Sequence, residues 1–364
     1  MSDRLSKLKE SLKPDGIEAY VVTKGSDIKY LTGFTGEYGT SVLVVTGSEC
    51  HFVTDGRFES QAQTEVGGVA KVHVYMKWGT RAANYYTCAG DILHELGVSE
   101  AGYVASDITM ADYSDLSEHA EGVKLVTVAD HVAPLRMIKD EEELALIRRA
   151  CQISMRSFYG LLDAIKPGVT EIDVANELEY QFRSRGGQGF CFETIVASGP
   201  DNGACPHATA STRKLEYGDF VTIDFGTYYG DYCSDITRTV LIGKAKEPEL
   251  LKVWSIVEEA KELGASMLKP GVTYAEVSNA VHKYVEDHGY KIPHGVGHNF
   301  GLDIHEAPFM GPLNDTPEQP GMVHTMEPGI YLPGVGGVRQ EDDYLITESG
   351  AERLTYITDH LIEL

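Results

Sequence analysis

The sequence contains few cysteines and few positively charged residues. Six cysteines are scattered over 364 residues without a CxxC pair, which argues against a disulfide framework or a zinc site and favours reduced thiols. Lysine and arginine total 31 against 55 aspartates and glutamates, for a formal net charge of −24. Such a surface repels phosphate backbones and anionic lipids. We therefore expect neither nucleic acid nor a membrane as a partner.

Long apolar runs are also absent from the sequence. No uncharged apolar stretch is long enough to span a bilayer. The N-terminal segment, MSDRLSKLKESLKPDG, carries charges at short intervals and lacks the apolar region of a signal peptide. These features predict a cytoplasmic protein, and the length allows two domains.

The first part of the chain alternates helix-like segments with apolar strands. Ala19–Val22 and Val42–Val45 are two such strands, and the rhythm is typical of a βαβ arrangement. Ala133–Arg136 interrupts it before a helical segment, Asp140–Leu162, that carries its acids first. We predict a smaller α/β domain over 1–130 and a second domain over 131–364.

The second domain contains an internal repeat. Lys166–Thr170 recurs as Lys269–Thr273 at an offset of 103 residues, and Gly218–Asp224 is matched by Gly321–Glu327 at the same offset. Two copies of this size indicate a duplicated α+β domain with pseudo-twofold symmetry rather than a solenoid. Helices are predicted at Glu171–Arg185, Leu250–Leu268 and Tyr274–His288.

A hairpin is predicted within the first copy. Phe220–Tyr229 and Tyr232–Ile242 are rich in aromatic and β-branched residues and flank Gly230-Asp231. A two-residue turn there places Gly226 opposite Asp235, with Asp224 one diagonal step away on the same face. The two acids could share a metal pair or could be solvated hairpin residues.

Potential metal ligands are concentrated in the last third of the chain. Four carboxylates and one imidazole are sufficient for two divalent cations and point to metal-assisted hydrolysis. These residues are Asp224, Asp235, His298, Glu327 and Glu341. Cys205, two residues before His207, could be a thiolate ligand or a nucleophile, although no base accompanies it.

The order of these residues and their flanking motifs resemble a known family. PH precedes the first Asp, HxxxH ends at His298, EPGIY begins at Glu327, and GGVRxED contains Glu341. This pattern resembles the creatinase-like, or pita-bread, metallopeptidases (family M24), and within them the Xaa-Pro peptidases, aminopeptidase P and prolidase. The resemblance runs from about Leu135 to the C-terminus and extends more weakly to Thr54–Ala62, where Arg57 could serve an interface or simply pair at a helix start.

The resemblance implies a duplicated pita-bread domain behind a creatinase-like N-terminal domain. It also implies a pair of divalent metal ions bound by the five residues, with Asp224 and Glu341 bridging the two ions. The expected metal is Mn²⁺, with Co²⁺ or Zn²⁺ as alternatives. Glu327 would accept the proton of the attacking water. Three histidines would bind the substrate, the oxyanion and the leaving nitrogen: His207, His294 and His305.

Two further residues match family positions near the substrate, Tyr331 and Arg339. Arg339 could equally be an ion-pair partner that holds a ligand carboxylate. Gln340 departs from the family, which usually has Ile or Val there, and strand alternation predicts that it points away from the metals. His324 is interpreted as structural, and His282 and His288 as exposed helix residues.

The expected substrate is a peptide with proline at the second position or an Xaa-Pro dipeptide, and the resemblance implies a homodimer. Other classes remain as alternatives. One is another hydrolase on the same fold, a methionine aminopeptidase or a creatinase-type amidinohydrolase. The other is a non-catalytic binding protein that has lost its metals. The size of the N-terminal domain and the retention of five ligands favour the Xaa-Pro peptidase.

Overall fold

The computed structural model describes residues 2–75 and 84–364. Its internal contacts divide the chain into an N-terminal unit, residues 1–136, and a C-terminal unit, residues 137–364, whereas the sequence predicted a boundary near Asp130. In the part of the chain that the structure describes, no helix combines the length and the apolar character needed to cross a bilayer.

The N-terminal unit is built on a mixed six-stranded sheet. Its strand order is β4-β3-β2-β1-β5-β6, in which β1–β2 and β2–β3 are antiparallel and the other pairs are parallel. The strands are β1 Ala19–Val22, β2 Ser41–Thr46, β3 Cys50–Thr54, β4 Lys71–Val74, β5 Glu100–Tyr103 and β6 Lys124–Thr127. The helices are α1 Ser2–Ser11, α2 Gly25–Thr32, α3 Glu59–Glu65, α4 Tyr85–Glu95, α5 Met110–His119 and, ending at the unit boundary, α6 Ala133–Met137.

Both strands predicted in this unit are confirmed. Every residue of β1 and β2 is buried, which explains why their sequences are continuously apolar instead of alternating. The β-branched valines of these strands pack well in the centre of a sheet that is buried on both faces.

The C-terminal unit contains four further helices and three sheets. The helices are α7 Glu141–Leu161, α8 Glu171–Ser184, α9 Pro248–Met267 and α10 Tyr274–Asp287. The strands are β7 Ile195–Ser198, β8 Phe220–Phe225, β9 Ile236–Leu241, β10 His298–Asn299, β11 Glu306–Phe309, β12 Val323–Met326, β13 Gly329–Leu332, β14 Gly336–Arg339, β15 Asp342–Thr347 and β16 Gly350–Arg353. They form the sheets β7-β8-β9, β13-β14 and β11-β10-β12-β15-β16.

The predicted duplication is visible in the hydrogen bonds of this unit. Thr170 and Thr273 cap α8 and α10 with the same capping box. Gly168 N donates to Leu215 O over 2.8 Å, and Gly271 N donates to Glu318 O over 2.9 Å. The two donors and the two acceptors are each separated by the 103-residue offset of the sequence repeat, so these parts of the two copies fold in the same way.

The two copies differ in one buried pair. Leu215 and Val221 belong to the apolar core of the first copy. At the equivalent positions of the second copy, His324 Nε2 lies 3.1 Å from Glu318 Oε1, and neither side chain is exposed. Burial alone would lower the pKa of His324, but the Glu318 carboxylate raises it above its ordinary value. His324 is therefore an internal ion-pair partner, consistent with the structural role predicted for it.

Candidate metal centre

The hairpin of the first copy brings two of the predicted ligands together. Asp224 pairs with Thr237 in the β8–β9 ladder, and the same register continued places Asp235 opposite Gly226. Gly230 and Asp231 have φ values of 56° and 65°, as a two-residue hairpin turn requires. The predicted turn and register are confirmed. The strands are shorter than predicted, with β8 ending at Phe225 and β9 beginning at Ile236, although Tyr229 still pairs with Tyr232 near the turn.

The second copy contributes two acids at the ends of its strands. Val323–Met326 pairs with Asp342–Leu345 in antiparallel order. Glu327 follows the first of these strands directly and Glu341 precedes the second. The register therefore brings the two acids opposite each other, whereas the acids of the first copy are diagonal.

His298 begins β10 and presents one ring nitrogen to the acids. Its Nδ1 lies 3.1 Å from Asn299 O. Its Nε2 lies 3.5 Å from Asp235 Oδ2 and 3.6 Å from Glu327 Oε1. Burial lowers the pKa of His298 to about 4, so the imidazole is neutral near pH 7, which is the form that binds metals.

The predicted ligands converge on one cavity of about 580 Å³. Asp235, His298 and Glu341 each offer one ligand atom within 4.8 Å of the others. Asp224 and Glu327 line the same cavity. The structure thus brings all five predicted ligands to one place, from strands of both copies.

The electrostatics of the cavity fit the binding of divalent cations. Asp224 Oδ1 and Asp235 Oδ1 are buried and, among the described residues, meet no hydrogen-bond donor. Burial and the neighbouring carboxylates raise the pKa values of Asp235 and Glu341 well above the ordinary range, and burial raises that of Glu327 to about 7. Cations would supply the missing countercharge, and carboxylates with one imidazole suit a hard or borderline metal such as Mn²⁺.

The three predicted catalytic histidines line the same cavity. His207 and His305 are exposed, and His294 is half-buried. The His305 and His298 rings meet edge to face with centroids 4.5 Å apart. Burial lowers the pKa values of His294 and His305, so both rings are neutral near pH 7 and can donate or accept a hydrogen bond.

Arg339 is a buried partner of a predicted ligand. Its Nη2 donates to Asp224 Oδ2 over 2.5 Å, and its Nε donates to Thr237 Oγ1 over 3.1 Å. Its Nη1 donates to Tyr331 Oη over 2.6 Å. These contacts favour the ion-pair interpretation of Arg339, although its side chain also reaches the cavity wall.

Tyr331 lies beside His294, with ring centroids 5.6 Å apart, and is not among the described residues that line the cavity. Its hydroxyl is 3.0 Å from His294 Nε2 and accepts the bond from Arg339. Tyr331 thereby connects His294 to Asp224 through Arg339. We place it as a residue that orients His294, and direct substrate contact stays a prediction.

The surroundings of Gln340, His282 and Arg57 bear on three further predictions. Gln340 is buried away from the cavity wall, and with its amide oxygen turned toward Trp254 it accepts from Nε1 over 2.9 Å. The prediction that His282 is exposed was wrong, because it is half-buried and its Nε2 lies 3.2 Å from His294 O. Its place on the α10 face that contains Val281 and Val285 was the available signal. Arg57 pairs with Asp55 over 2.7 Å.

The chain is similar to known proteins over its whole length. The family model for the creatinase/prolidase N-terminal domain matches residues 4–138, and that for metallopeptidase family M24 matches residues 145–348. An uncharacterized peptidase of Bacillus subtilis (strain 168), YqhT, is 37% identical over 99% of this chain and 100% of its own length.

Two solved structures extend the comparison. The Xaa-Pro dipeptidase from Bacillus anthracis matches with a TM-score of 0.92 and 36% identity, over 100% of this chain and 99% of its own. The X-Pro aminopeptidase from Thermotoga maritima MSB8 matches with a TM-score of 0.89 and 32% identity, over 99% of both chains. One of these two similar proteins is described as a dipeptidase and the other as an aminopeptidase.

Proposed function

The chain belongs to metallopeptidase family M24, with a creatinase-type N-terminal domain before the pita-bread domain, and from this premise we propose that it is a dinuclear-metal Xaa-Pro peptidase. It would hydrolyse the bond between an N-terminal residue and a following proline, in peptides or in dipeptides. The observation that supports this most strongly is the convergence of four carboxylates and one imidazole on a single cavity.

The proposed ligands of the metal pair are Asp224, Asp235, His298, Glu327 and Glu341. We propose Mn²⁺ as the physiological metal, with Co²⁺ or Zn²⁺ as alternatives, because oxygen donors predominate. Divalent ions bound there would acidify a water molecule and polarise a peptide carbonyl group. Glu327 would take the proton of the attacking water, since its carboxylate lies at the end of a strand on the cavity wall.

The histidines would act on the substrate. His207, His294 and His305 line the cavity and can donate hydrogen bonds to the developing oxyanion and to the departing nitrogen. The nitrogen of a proline peptide bond would be a poor leaving group as an anion, so a proton donated to it lets it depart as the neutral secondary amine of proline. Tyr331 and Arg339 would hold His294 and Asp224 in place for these contacts.

The rest of the cavity wall suits the pyrrolidine ring. It is largely apolar, and a proline side chain gains stability by leaving water for such a surface. The apolar lining includes Phe192, Ile195, Pro206, Ile304, Phe309 and Met310.

We also propose a cytoplasmic homodimer. All six cysteine thiols are free, which suits a reducing compartment. The dimer is carried over from the family resemblance, and size-exclusion chromatography with light scattering tests it.

The test is hydrolysis of Ala-Pro, Ala-Pro-Ala and Met-Ala-Ala, followed by mass spectrometry after metal removal and reloading with Mn²⁺. Release of alanine from both proline peptides would identify an aminopeptidase, and cleavage of Ala-Pro alone a dipeptidase. Cleavage of Met-Ala-Ala alone would assign a methionine aminopeptidase. If no peptide is cut in a metal-dependent way, the peptidase function is wrong.

Two variants of one hairpin control this test. Asp224→Asn keeps the size of a proposed ligand and removes its charge, and it should lower kcat/KM by more than about 100-fold, since loss of an outer-shell partner alone costs 10–100-fold. Asp231→Asn changes the same residue type in the partly exposed turn, where asparagine also tolerates positive φ and keeps the oxygen that accepts from Gln188. It should retain the activity.

A further inference from the structure

Glu341, directly before β15, and Asp342, the first residue of β15, point to opposite faces of the strand. Glu341 lines the cavity. Asp342 is fully buried on the other side, and strand alternation explains the split. The surroundings of Asp342 are unusually cationic and lie one residue from a proposed metal ligand.

Three cations and one hydroxyl surround the Asp342 carboxylate. Oδ1 accepts from Arg238 Nη2 over 2.6 Å and from Thr355 Oγ1 over 3.1 Å. Oδ2 accepts from Lys261 Nζ over 2.9 Å and from Arg353 Nη2. We call this set, Asp342 with Arg238, Lys261 and Arg353, the cation cage. Arg238 and Lys261 are as deeply buried as Asp342, so each needs a partner of opposite charge.

Arg238 also contacts the main chain of the ligand segment. Its Nη1 donates to the carbonyl oxygen of Glu341 and, over 2.9 Å, to that of Thr237. The Thr237 hydroxyl donates to Glu341 Oε2 over 2.6 Å, and Glu341 N donates to Thr237 O over 3.1 Å. Arg238 therefore contacts the backbone of Glu341 and of the residue that orients the Glu341 carboxylate.

These contacts cross the seam between the two copies. Arg238 and Thr237 belong to β9 in the sheet β7-β8-β9, whereas Asp342 begins β15 in the five-stranded sheet. Asp224 lies in the first sheet and Asp235 directly before its strand β9, whereas Glu327 and Glu341 directly flank strands β12 and β15 of the second sheet. The separation between the two pairs of acids thus depends on how the sheets are joined at Arg238.

Arginine is suited to this junction because its planar fork donates in several fixed directions at once. It reaches the carbonyl oxygens of Thr237, Glu341 and Thr355 and one carboxylate here, whereas a lysine ammonium on a flexible chain would not hold all of these acceptors at once. Asp342 neutralises the buried guanidinium and fixes its orientation.

We propose that Arg238, held by Asp342, is a positioning residue for Glu341 and sets the spacing between the ligands of the two copies. Arg238 can act in this way only if the proposed dinuclear centre exists. It touches neither the cavity nor a ligand side chain, so its loss should alter the second metal site while all five ligands remain.

The test compares Arg238→Lys with Arg353→Gln. Arg353 belongs to the same cage and bonds to Asp342 and Asp359, but it does not contact Glu341 or Thr237 in the bonds described, so it is the matched control. Mn²⁺ stoichiometry and stepwise affinities are measured by calorimetry, and the exchange-coupled Mn²⁺ pair is followed by electron paramagnetic resonance. Urea unfolding is recorded for every protein.

Arg238→Lys should bind the first Mn²⁺ like the wild type and the second at least about 10-fold more weakly, with loss of the coupled spectrum. Arg353→Gln should lose stability while both affinities and the spectrum stay unchanged. If Arg238→Lys loses stability only, or if both variants weaken the second Mn²⁺ equally, positioning by Arg238 is wrong.

Arg238→Gln serves as a second variant if the lysine variant fails to fold. It removes the charge and leaves Lys261 and Arg353 beside Asp342, and the same loss of the second Mn²⁺ is expected. Failure of both variants to fold would assign Arg238 to stability alone. A wild-type protein that binds fewer than two Mn²⁺ would instead contradict the proposed function, independently of the variants.

Discussion

The carboxylate of Asp343 accepts a hydrogen bond from the main-chain N–H of Asp235 over 3.0 Å. The two residues are 108 positions apart in the chain, and the bond fixes the backbone of a proposed ligand. The Cys151 thiol lies 3.4 Å from the same oxygen. Burial raises the pKa of Asp343 well above its ordinary value.

Asp343→Leu should therefore lower the free energy of unfolding and the Mn²⁺ content together. The change leaves the buried Asp235 N–H without an acceptor, which costs about 1–3 kcal/mol. Asp343→Asn keeps the size of the side chain and an acceptor oxygen for the Asp235 N–H, so it should lie near the wild type in urea unfolding. Equal losses in both variants would show that the charge of Asp343, and not its bond to Asp235, is what matters.

The duplication predicts equal costs for two helix caps. Thr170→Ala and Thr273→Ala each remove a hydroxyl that accepts from the third helical N–H, so each should cost about 1 kcal/mol in urea unfolding. Serine at either position keeps the hydroxyl and should restore most of this loss. A large cost at one cap and none at the other would contradict the structural equivalence of α8 and α10.

The buried ion pair of the second copy should behave non-additively. His324→Val leaves the Glu318 carboxylate buried without its partner, which should cost about 3–5 kcal/mol. Glu318→Leu combined with His324→Val restores the apolar pair that Leu215 and Val221 form in the first copy. The double variant should therefore be more stable than His324→Val alone in denaturant unfolding.

A double-mutant cycle quantifies this coupling, because both side chains are in contact and additivity is expected to fail. The cycle needs Glu318→Leu as its other single variant. Simple addition of the two single costs would mean that the two side chains do not stabilise each other, despite the 3.1 Å between them.

Local patterns predicted the elements that position the site. The hairpin turn at Gly230-Asp231 and the repeat at Lys166 and Lys269 follow from short motifs with strong backbone preferences, and the structure contains both. The sequence could not reveal the hydrogen bond between Tyr331 and His294 or the hydrogen bond from Arg238 to the carbonyl oxygen of Glu341. Those contacts join residues 37 and 103 positions apart, and they depend on how segments distant in the chain pack against each other.

The same limit applies to the surroundings of the acids. Spacing predicted that Asp224 and Asp235 share a face, but burial decides whether such acids are solvated, and burial is a property of the whole fold. The enclosed oxygens of both residues favour the metal-pair interpretation over two solvated hairpin acids.

Metal binding should release protons in a pH-dependent way. In the metal-free protein, burial raises the pKa of Glu327 to about 7 and those of Asp235 and Glu341 well above the ordinary range. As the pH falls through about 7, Glu327 takes up a proton that a cation must displace, and the raised pKa values of Asp235 and Glu341 act in the same direction. The apparent affinity for Mn²⁺ should therefore fall as the pH drops from 8 to 6. Calorimetry in two buffers of different ionisation enthalpy measures the number of protons released.

Glu327→Gln separates the contribution of this residue from that of the other acids. Glutamine has the same size and cannot bind an additional proton, so the variant should release fewer protons per Mn²⁺ and show a flatter pH dependence near 7. His298 should contribute little, because its pKa of about 4 leaves it neutral throughout this range. An affinity that stays constant between pH 6 and 8, with no proton release, would show that the acids are already ionised before metals bind, and that buried positive charge compensates them.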